Sequence, residues 1–365
     1  MKTFHFAILV SFILFSAACN DNKSQPIKNA KKDGVRIVTS SLQYPWEITW
    51  GSDNHIWMTE RDGKISRIDP ASGTTTFSFS ISEVESQGEG GLLGLALHPD
   101  FQQNGYLYVV YNYRNNGYRE KVVRFTYTGN SLTNPLVLLE GIQAAGIHNG
   151  SRLWITRETS PKLFISTGDA ANQSLPQPTK TLNGKILRIN VDGSIPGDNP
   201  FPGNPVWSYG HRNAQGLVLA NNILYASEHG PSVEDEVNII EKARNYGWPE
   251  VEGPCNGSEL PFCNSNRVVE PIWSSGANTL AVCGLDYYND NLLPQWKHSL
   301  LMTTLKNSAL LQLKLSADGK SIIAVKTFFK NEWGRLRDVC VSPDGKIYIC
   351  TSNGNDDKII EISKL

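Results

Sequence analysis

Short apolar runs alternate with polar positions at period two along most of the chain. Leu187, Ile189 and Val191 alternate with Arg188, Asn190 and Asp192, and Gly193 then turns the chain. Period two places every second side chain on one face, which is the mark of a half-buried strand. The runs are closed repeatedly by Asp-Gly, at Asp62-Gly63, Asp192-Gly193, Asp318-Gly319 and Asp344-Gly345. Asp-Gly tolerates the positive φ that tight hairpins need. Sustained helical periodicity is scarce beyond the first 19 residues.

These strands fall into six loosely repeated segments. Each begins with an apolar strand, turns into a second, and continues into a third with a pattern like Gly-Lys-Ile-x-Arg-Ile. The first runs from PWEITW to DGKISRID, and the second from GGLLGLALHPDF through GYLYVVYNY to KVVRFTY. The third holds KLFISTGDA and GKILRINVDG, the fourth starts at NAQGLVL, the fifth at AVCGLDYY and the sixth at GRLRDVCVSPDGKIYICTS. Multi-stranded repeats of about 40 to 50 residues predict an all-β, six-bladed propeller. The third to fifth segments carry long insertions, the natural place to build a site. The strand from Gly34 to Ser40 is placed to close the ring against the last blade. A two-domain β-sandwich is the competing fold.

Composition supports one large β domain. The 365 residues are 40% hydrophobic and 19% charged, with 34 Lys and Arg against 35 Asp and Glu, a net charge of −1. A near-neutral chain lacks the basic footprint that nucleic acid rewards. Residues 1–19, MKTFHFAILVSFILFSAAC, read as an export signal. The ending Ser16-Ala17-Ala18-Cys19 resembles a bacterial lipobox with Ser in place of the usual Leu. It predicts a lipid anchor on Cys19, residues 20–33 as a polar tether, and a catalytic propeller over 34–365. That makes the expected location periplasmic or cell-surface, with membrane contact only through the lipid. Export permits disulfides. Cys255 and Cys263 share one polar loop and are expected to pair. Cys340 and Cys350 flank a hairpin and are a second candidate pair, which leaves Cys283 as a buried thiol.

The notable polar residues sit in Gly-rich loops between strands. They are His148-Asn149-Gly150, Arg212-Asn213, Glu228-His229-Gly230-Pro231, Asp235-Glu236, Asn245-Tyr246-Gly247-Trp248-Pro249, Lys306, Arg335 and Arg337. In a propeller such loops converge at one end of the axial channel. A cationic ring around a cavity suits a ligand bearing carboxylates, and a His there suits a general base. Each feature also has a plainer reading. Arg335 and Arg337 can be structural partners of Asp338 or Glu332, His229 a structural residue, His55, His98 and His211 turn or core histidines, and Trp248 a packing residue.

Taken in order, PWEITW with TERDGKI, GGLLGLALHPDF, HNG, GKILRINVDG, GHRNAQGL, SEHGP, DEVNII, NYGWP and GRLRDV with SPDGKIY resemble the soluble quinoprotein glucose/sorbosone dehydrogenases. These are PQQ- and Ca²⁺-dependent aldose sugar dehydrogenases, and the likeness spans roughly residues 36 to 363. The family fold is a six-bladed propeller with long loops on the cofactor face. By this resemblance His148 is the base that takes the proton from the anomeric hydroxyl. Arg212 polarises the quinone carbonyl and Asn213 contacts PQQ. Lys306, Arg335 and Arg337 hold the PQQ carboxylates. Gly230 and Pro231 offer carbonyls to the active-site Ca²⁺, and Glu236 and Tyr246 match a second, structural Ca²⁺ site. Glu89 stands where the family has Gln facing the cofactor, and an anion there needs an Arg partner or a proton. The implied reaction oxidises aldoses at C1 to lactones and passes electrons to an unidentified acceptor. A Ca²⁺-dependent lactonase or esterase, and a non-catalytic propeller binding glycans or proteins, are the rival readings.

Overall fold

Period-two alternation becomes four-stranded antiparallel sheets in the computed structural model, which describes residue 1 and residues 33–365. The leader, Cys19 and nearly all of the polar stretch lie outside the described residues. The chain enters as β1 (Val35–Leu42). Blade one is β2 (Pro45–Trp50), β3 (Ile56–Glu60), β4 (Lys64–Ile68) and β5 (Thr75–Ser80). Blade two is β6 (Leu92–Leu97), β7 (Tyr106–Arg114), β8 (Tyr118–Tyr127) and β9 (Leu132–Gln143), with the short α1 (Phe101–Asn104) between β6 and β7. Blade three is β10 (Gly150–Ile155), β11 (Lys162–Thr167), β12 (Lys185–Asn190) and β13 (Val206–Tyr209). Blade four is β14 (Ala214–Ala220), β15 (Ile223–Glu228), β16 (Glu236–Ile239) and β17 (Trp273–Ser274), with α2 (Leu260–Asn266) inserted before β17. Blade five is β18 (Val282–Tyr288), β19 (Ser299–Thr304), β20 (Ala309–Leu315) and β21 (Ile322–Phe328). Blade six is β22 (Leu336–Val341), β23 (Ile347–Thr351) and β24 (Asp357–Ile362), completed by β1 in the order β1-β24-β23-β22.

The innermost strands β2, β6, β10, β14, β18 and β22 each pack on the next and close a ring. The expected clasp is therefore present: Val35 pairs with Ile362 and Leu42 with Asp357. Clasping the first strand into the last blade leaves no open seam between chain ends. The four Asp-Gly turns hold positive φ at Gly63, Gly193, Gly319 and Gly345. Apolar faces of adjacent blades interlock. Tyr108, Val110 and Val122 of blade two meet Leu153, Ile165 and Leu187 of blade three, and Val218 and Tyr225 meet Leu300 and Met302.

All six inner strands carry a register shift near the same end, between Pro45/Glu47, Leu92/Leu95, Gly150/Leu153, Ala214/Gly216, Val282/Leu285 and Leu336/Asp338. A bulge re-aims the residues it carries. Here it stacks two rings of residues around the axis. The lower ring is Glu47, Gly94, Arg152, Gly216, Gly284 and Asp338. The glycines are steric: a Cβ on Gly94 would lie 2.0 Å from the Ser151 carbonyl, and one on Gly284 1.9 Å from Asp338 Oδ1. The room they leave admits Arg152, which is buried and bonds Glu47 Oε1 at 2.6 Å, Asp338 Oδ2 at 2.9 Å and the Gln215 carbonyl at 2.8 Å. The upper ring is Trp46, Leu93, Ser151, Gln215, Cys283 and Arg337, and it floors the loop-bearing end.

Cysteine pairing follows expectation in one case only. Cys255 and Cys263 form a disulfide in the loop and helix before β17. Cys340 and Cys350 do not bond; both are free, buried thiols, as is Cys283. They lie on adjacent strands, but the register opposes Cys340 to Tyr348 and Cys350 to Asp338. Spacing across a hairpin fixed the strands and not their register.

Candidate active site

The loops leading into the inner strands do meet at one end of the hub. His148 precedes β10, Arg212 and Asn213 precede β14, Gly230 and Pro231 follow β15, Lys306 follows β19, and Arg335 and Arg337 open β22. His148 is partly buried in a left-handed backbone conformation, φ 59°, a strain that clusters at functional sites. Its two ring nitrogens have opposite partners. Nδ1 lies 2.9 Å from Asp169 Oδ1, and Nε2 lies 3.1 Å from Arg212 Nη2. A carboxylate only accepts and a guanidinium only donates. The ring is therefore the neutral tautomer with the proton on Nδ1 and a lone pair on Nε2.

Asp169, in the Gly168-Asp169-Ala170 stretch after β11, is the residue that sequence reasoning missed. It is 1% exposed. Besides His148 it accepts the Ala171 amide at 2.8 Å on Oδ1 and Trp248 Nε1 at 2.9 Å on Oδ2. Trp248, expected only to pack, also lies 5.2 Å beneath the Arg212 guanidinium. His148, Asp169, Asn172, Gln173, Arg212, Pro231 and Trp248 line an open pocket of about 360 Å³. A larger cavity, about 450 Å³, opens at the opposite end of the hub around Trp50, Trp154 and Asp286, and none of the expected site residues faces it.

Beside the pocket lies the cationic floor. Arg337 is buried and gives Nη1 to Gln215 Oε1 at 2.8 Å and to Cys283 Sγ at 3.4 Å. It does not pair with Asp338, whose carboxylate is taken by Arg152. Burial, with the charges of Arg337, Arg212 and Arg335 nearby, pushes the His229 ring down to about 3. Its ring is thus neutral, and its carbonyl accepts Arg212 Nη1 at 3.4 Å. His55 and His98 sit in turns, and His211 is fully buried against Glu228 Oε2 at 2.9 Å. Lys306 is exposed at the rim, its amide on the Leu280 carbonyl. Glu89 is exposed, its amide on the Gly146 carbonyl at 2.7 Å, two residues from His148. Its charge is felt by Arg61, whose guanidinium bonds the Gly88 carbonyl and forms no ion pair with Glu89. Arg61, Arg212 and Arg337 each keep a buried Nε without a hydrogen-bond partner. Unmet guanidinium donors, one of them on the pocket-lining Arg212, fit a ligand rich in anionic oxygens.

The stretch that would offer carbonyl oxygens to a hard cation is held from below. Asp235 Oδ1 accepts the Gly230 amide at 3.0 Å, and its Oδ2 accepts the Leu280 and Ala281 amides at 2.5 and 2.8 Å. Gly230 has no room for a side chain, since a Cβ would lie 1.8 Å from the Val233 carbonyl. Asn213 is buried and faces inward, its Oδ1 accepting the Gly150 amide at 3.0 Å. Glu236 and Tyr246 lie behind this layer. Burial and the neighbouring Glu228 push the Glu236 carboxyl up to about 8, and Asn238, whose Nδ2 bonds Glu236 Oε2 at 2.8 Å, keeps a buried Oδ1 without a donor. A half-buried acid beside an orphan acceptor fits a cation. Tyr246 itself stacks on His211 at 4.4 Å and binds the Ile239 carbonyl at 2.5 Å, so only its backbone is free for such a role.

The glucose/sorbosone dehydrogenase family model matches residues 42–361. The quinoprotein glucose dehydrogenase B of Acinetobacter calcoaceticus is 31% identical, over 88% of this chain and 86% of its own. The aldose sugar dehydrogenase YliI of Escherichia coli is 29% identical, over 88% and 90% respectively. The solved PQQ-bound aldose sugar dehydrogenase of Streptomyces coelicolor superposes with a TM-score of 0.78 at 32% identity, over 90% of this chain and 97% of that one.

Proposed function

The chain belongs to the glucose/sorbosone dehydrogenase family of oxidoreductases, and from that premise we propose that it oxidises aldoses at C1 to lactones with PQQ and Ca²⁺. The observation that carries the proposal is the Asp169–His148–Arg212 chain of contacts at the mouth of a polar pocket. When bound, PQQ supplies the acceptor for the hydride leaving C1, and Ca²⁺ makes that acceptor more electrophilic.

The residues of this chain do the rest. Arg337, Arg335 and Lys306 would hold the cofactor carboxylates, and Asn213 would contact the cofactor. Gly230 and Pro231 would give carbonyl oxygens to the active-site Ca²⁺, on a loop clamped by Asp235. Glu236 and the Tyr246 carbonyl would serve a second, structural Ca²⁺. Arg212 places positive charge where negative charge develops. His148 Nε2 accepts the proton of the C1 hydroxyl once the sugar takes the place of the Arg212 contact. Asp169 fixes the tautomer that leaves Nε2 free and stabilises the imidazolium that results. Asn172, Gln173 and Trp248 offer the sugar polar and aromatic contacts. Two electrons leave with the hydride, one proton leaves through His148, and an external acceptor must reoxidise the enzyme.

A lactonase of this architecture needs a Ca²⁺ held by side-chain oxygens on the axis. Here the axis carries the Arg152 guanidinium between Glu47 and Asp338, a cation in the metal's place. The test is reconstitution of the purified protein with PQQ and Ca²⁺, followed by optical spectrum and dye reduction with a panel of aldoses. A quinone spectrum that bleaches on sugar addition, with dye reduction, is expected. No PQQ binding in the presence of Ca²⁺ would overturn the proposal.

A further inference from the structure

Half of the pocket wall comes from one long connection, residues 168–184, which joins β11 to β12 without regular structure. It carries Asp169, Ala171, Asn172 and Gln173 at the pocket, and must hold its shape by contacts of its own. At its centre is Lys185, a residue the reaction does not use. Lys185 has no exposed surface. Its ammonium donates to the Leu175 carbonyl at 2.9 Å, the Pro176 carbonyl at 2.7 Å and the Asn183 carbonyl at 2.7 Å, with Thr181 Oγ1 at 3.3 Å. Three donors thus meet three carbonyls from both limbs of one loop. None of these partners is a carboxylate, and burial pushes the ammonium down to about 7. An ammonium buried among neutral oxygens is costly unless each donor is used. Nothing else reaches all of these oxygens: Thr181 Oγ1 turns to the Leu175 and Pro178 carbonyls, and Gln177 ties the same loop outward to Asn245 Oδ1 at 3.1 Å and the Trp248 carbonyl at 2.7 Å.

We propose that Lys185 is a positioning residue for substrate recognition, a tethered cation around which the pocket wall of Ala171, Asn172 and Gln173 is organised. Its ammonium does for this loop what a bound monovalent cation would do, gathering carbonyls that would otherwise repel one another. The role in sugar binding rests on the dehydrogenase reading above; the role in loop order does not.

The test separates the two. Lys185→Ala removes the propylammonium portion of the side chain and leaves an oxygen-lined hole. In the protein without cofactor, amide hydrogen exchange over residues 171–183 is expected to accelerate, while β7 and β19 stay protected. Added n-propylammonium is expected to restore protection, and tetramethylammonium, which has the charge but no N–H donor, is not. In the reconstituted enzyme KM for the sugar is expected to rise by about ten- to a hundredfold, the weight of a charge-assisted hydrogen bond, with a smaller change in kcat. Should Lys185→Ala not fold, Thr181→Val, which removes the fourth oxygen, carries the test with faster exchange in the same segment. Unchanged exchange over 171–183, or rescue by both cations alike, overturns the proposal. Altered loop exchange with no sugar oxidation by the parent protein would keep the loop role and sink the dehydrogenase reading.

Discussion

Replacing Asp169 by Asn tests the proton-transfer geometry most directly. The buried carboxylate uses two oxygens for three donors: His148 Nδ1 and the Ala171 amide on one, Trp248 Nε1 on the other. An amide has one oxygen and cannot satisfy both sides. With its oxygen toward His148, it presents an NH₂ to the Trp248 N–H and loses the charge that stabilises the imidazolium. With its NH₂ toward His148, it forces the ring into the other tautomer, and the proton then sits on Nε2, where the base is needed. The first outcome loses a charge-assisted hydrogen bond, and the second removes the base. Together they bracket a fall in kcat of about 10²- to 10⁴-fold, or about 3 to 5 kcal/mol of transition-state stabilisation. Asp169 lies beneath the ring and not in the cationic floor, so PQQ affinity is expected to hold. The assay is single-turnover bleaching of the bound quinone by sugar, beside an optical titration of PQQ. A kcat within a factor of about two of the parent, at equal cofactor occupancy, would refute the tautomer argument.

Two further outcomes follow from buried groups nearby. Glu120 is 1% exposed, binds Ser151 Oγ at 2.6 Å and leaves Oε1 without a partner; burial pushes its carboxyl up to about 8. The folded state then holds a proton that the unfolded state releases near pH 4.5, so this group's contribution to stability falls as pH rises from there to about 8, by a few kcal/mol at most. Tm of Glu120→Gln is expected to decline less steeply than the parent's over that window, and identical slopes would refute the linkage. Gly230→Ala puts a methyl 1.8 Å from the Val233 carbonyl and must shift the loop offered to Ca²⁺. Calorimetric titration is expected to show Ca²⁺ affinity weakened by about 10- to 100-fold, and an unchanged affinity would remove the carbonyls of Gly230 and Pro231 from the site.

The blades were legible because their inner three strands carry apolar alternation and Asp-Gly turns, which physics reads locally. Apart from the clasp β1, the outer strands were not. β21 is exposed at nearly every position and β17 is two residues long, so neither shows a buried face. His148, Arg212, Arg335 and Arg337 could be singled out as charged or titratable residues in Gly-rich loops, and loop convergence follows from the propeller itself. Asp169 could not, because its partners are 21 and 79 residues away and nothing near it in the chain marks a buried carboxylate. The hub is a similar case. Glu47, Arg152 and Asp338 belong to three separate blades, and only the equivalent bulges bring them to one level. Cys340 and Cys350 failed as a pair for the same reason, since a two-residue difference in register is invisible to spacing.

The clasp formed by β1 also sets the end of the hub from which the described chain enters the ring. Leu42 meets Asp357 at the end of the hub that bears His148, and Val35 meets Ile362 at the other. The chain thus enters the propeller from behind the pocket. The first strand joins the ring without crossing the loop-bearing face, and the pocket mouth stays clear of it.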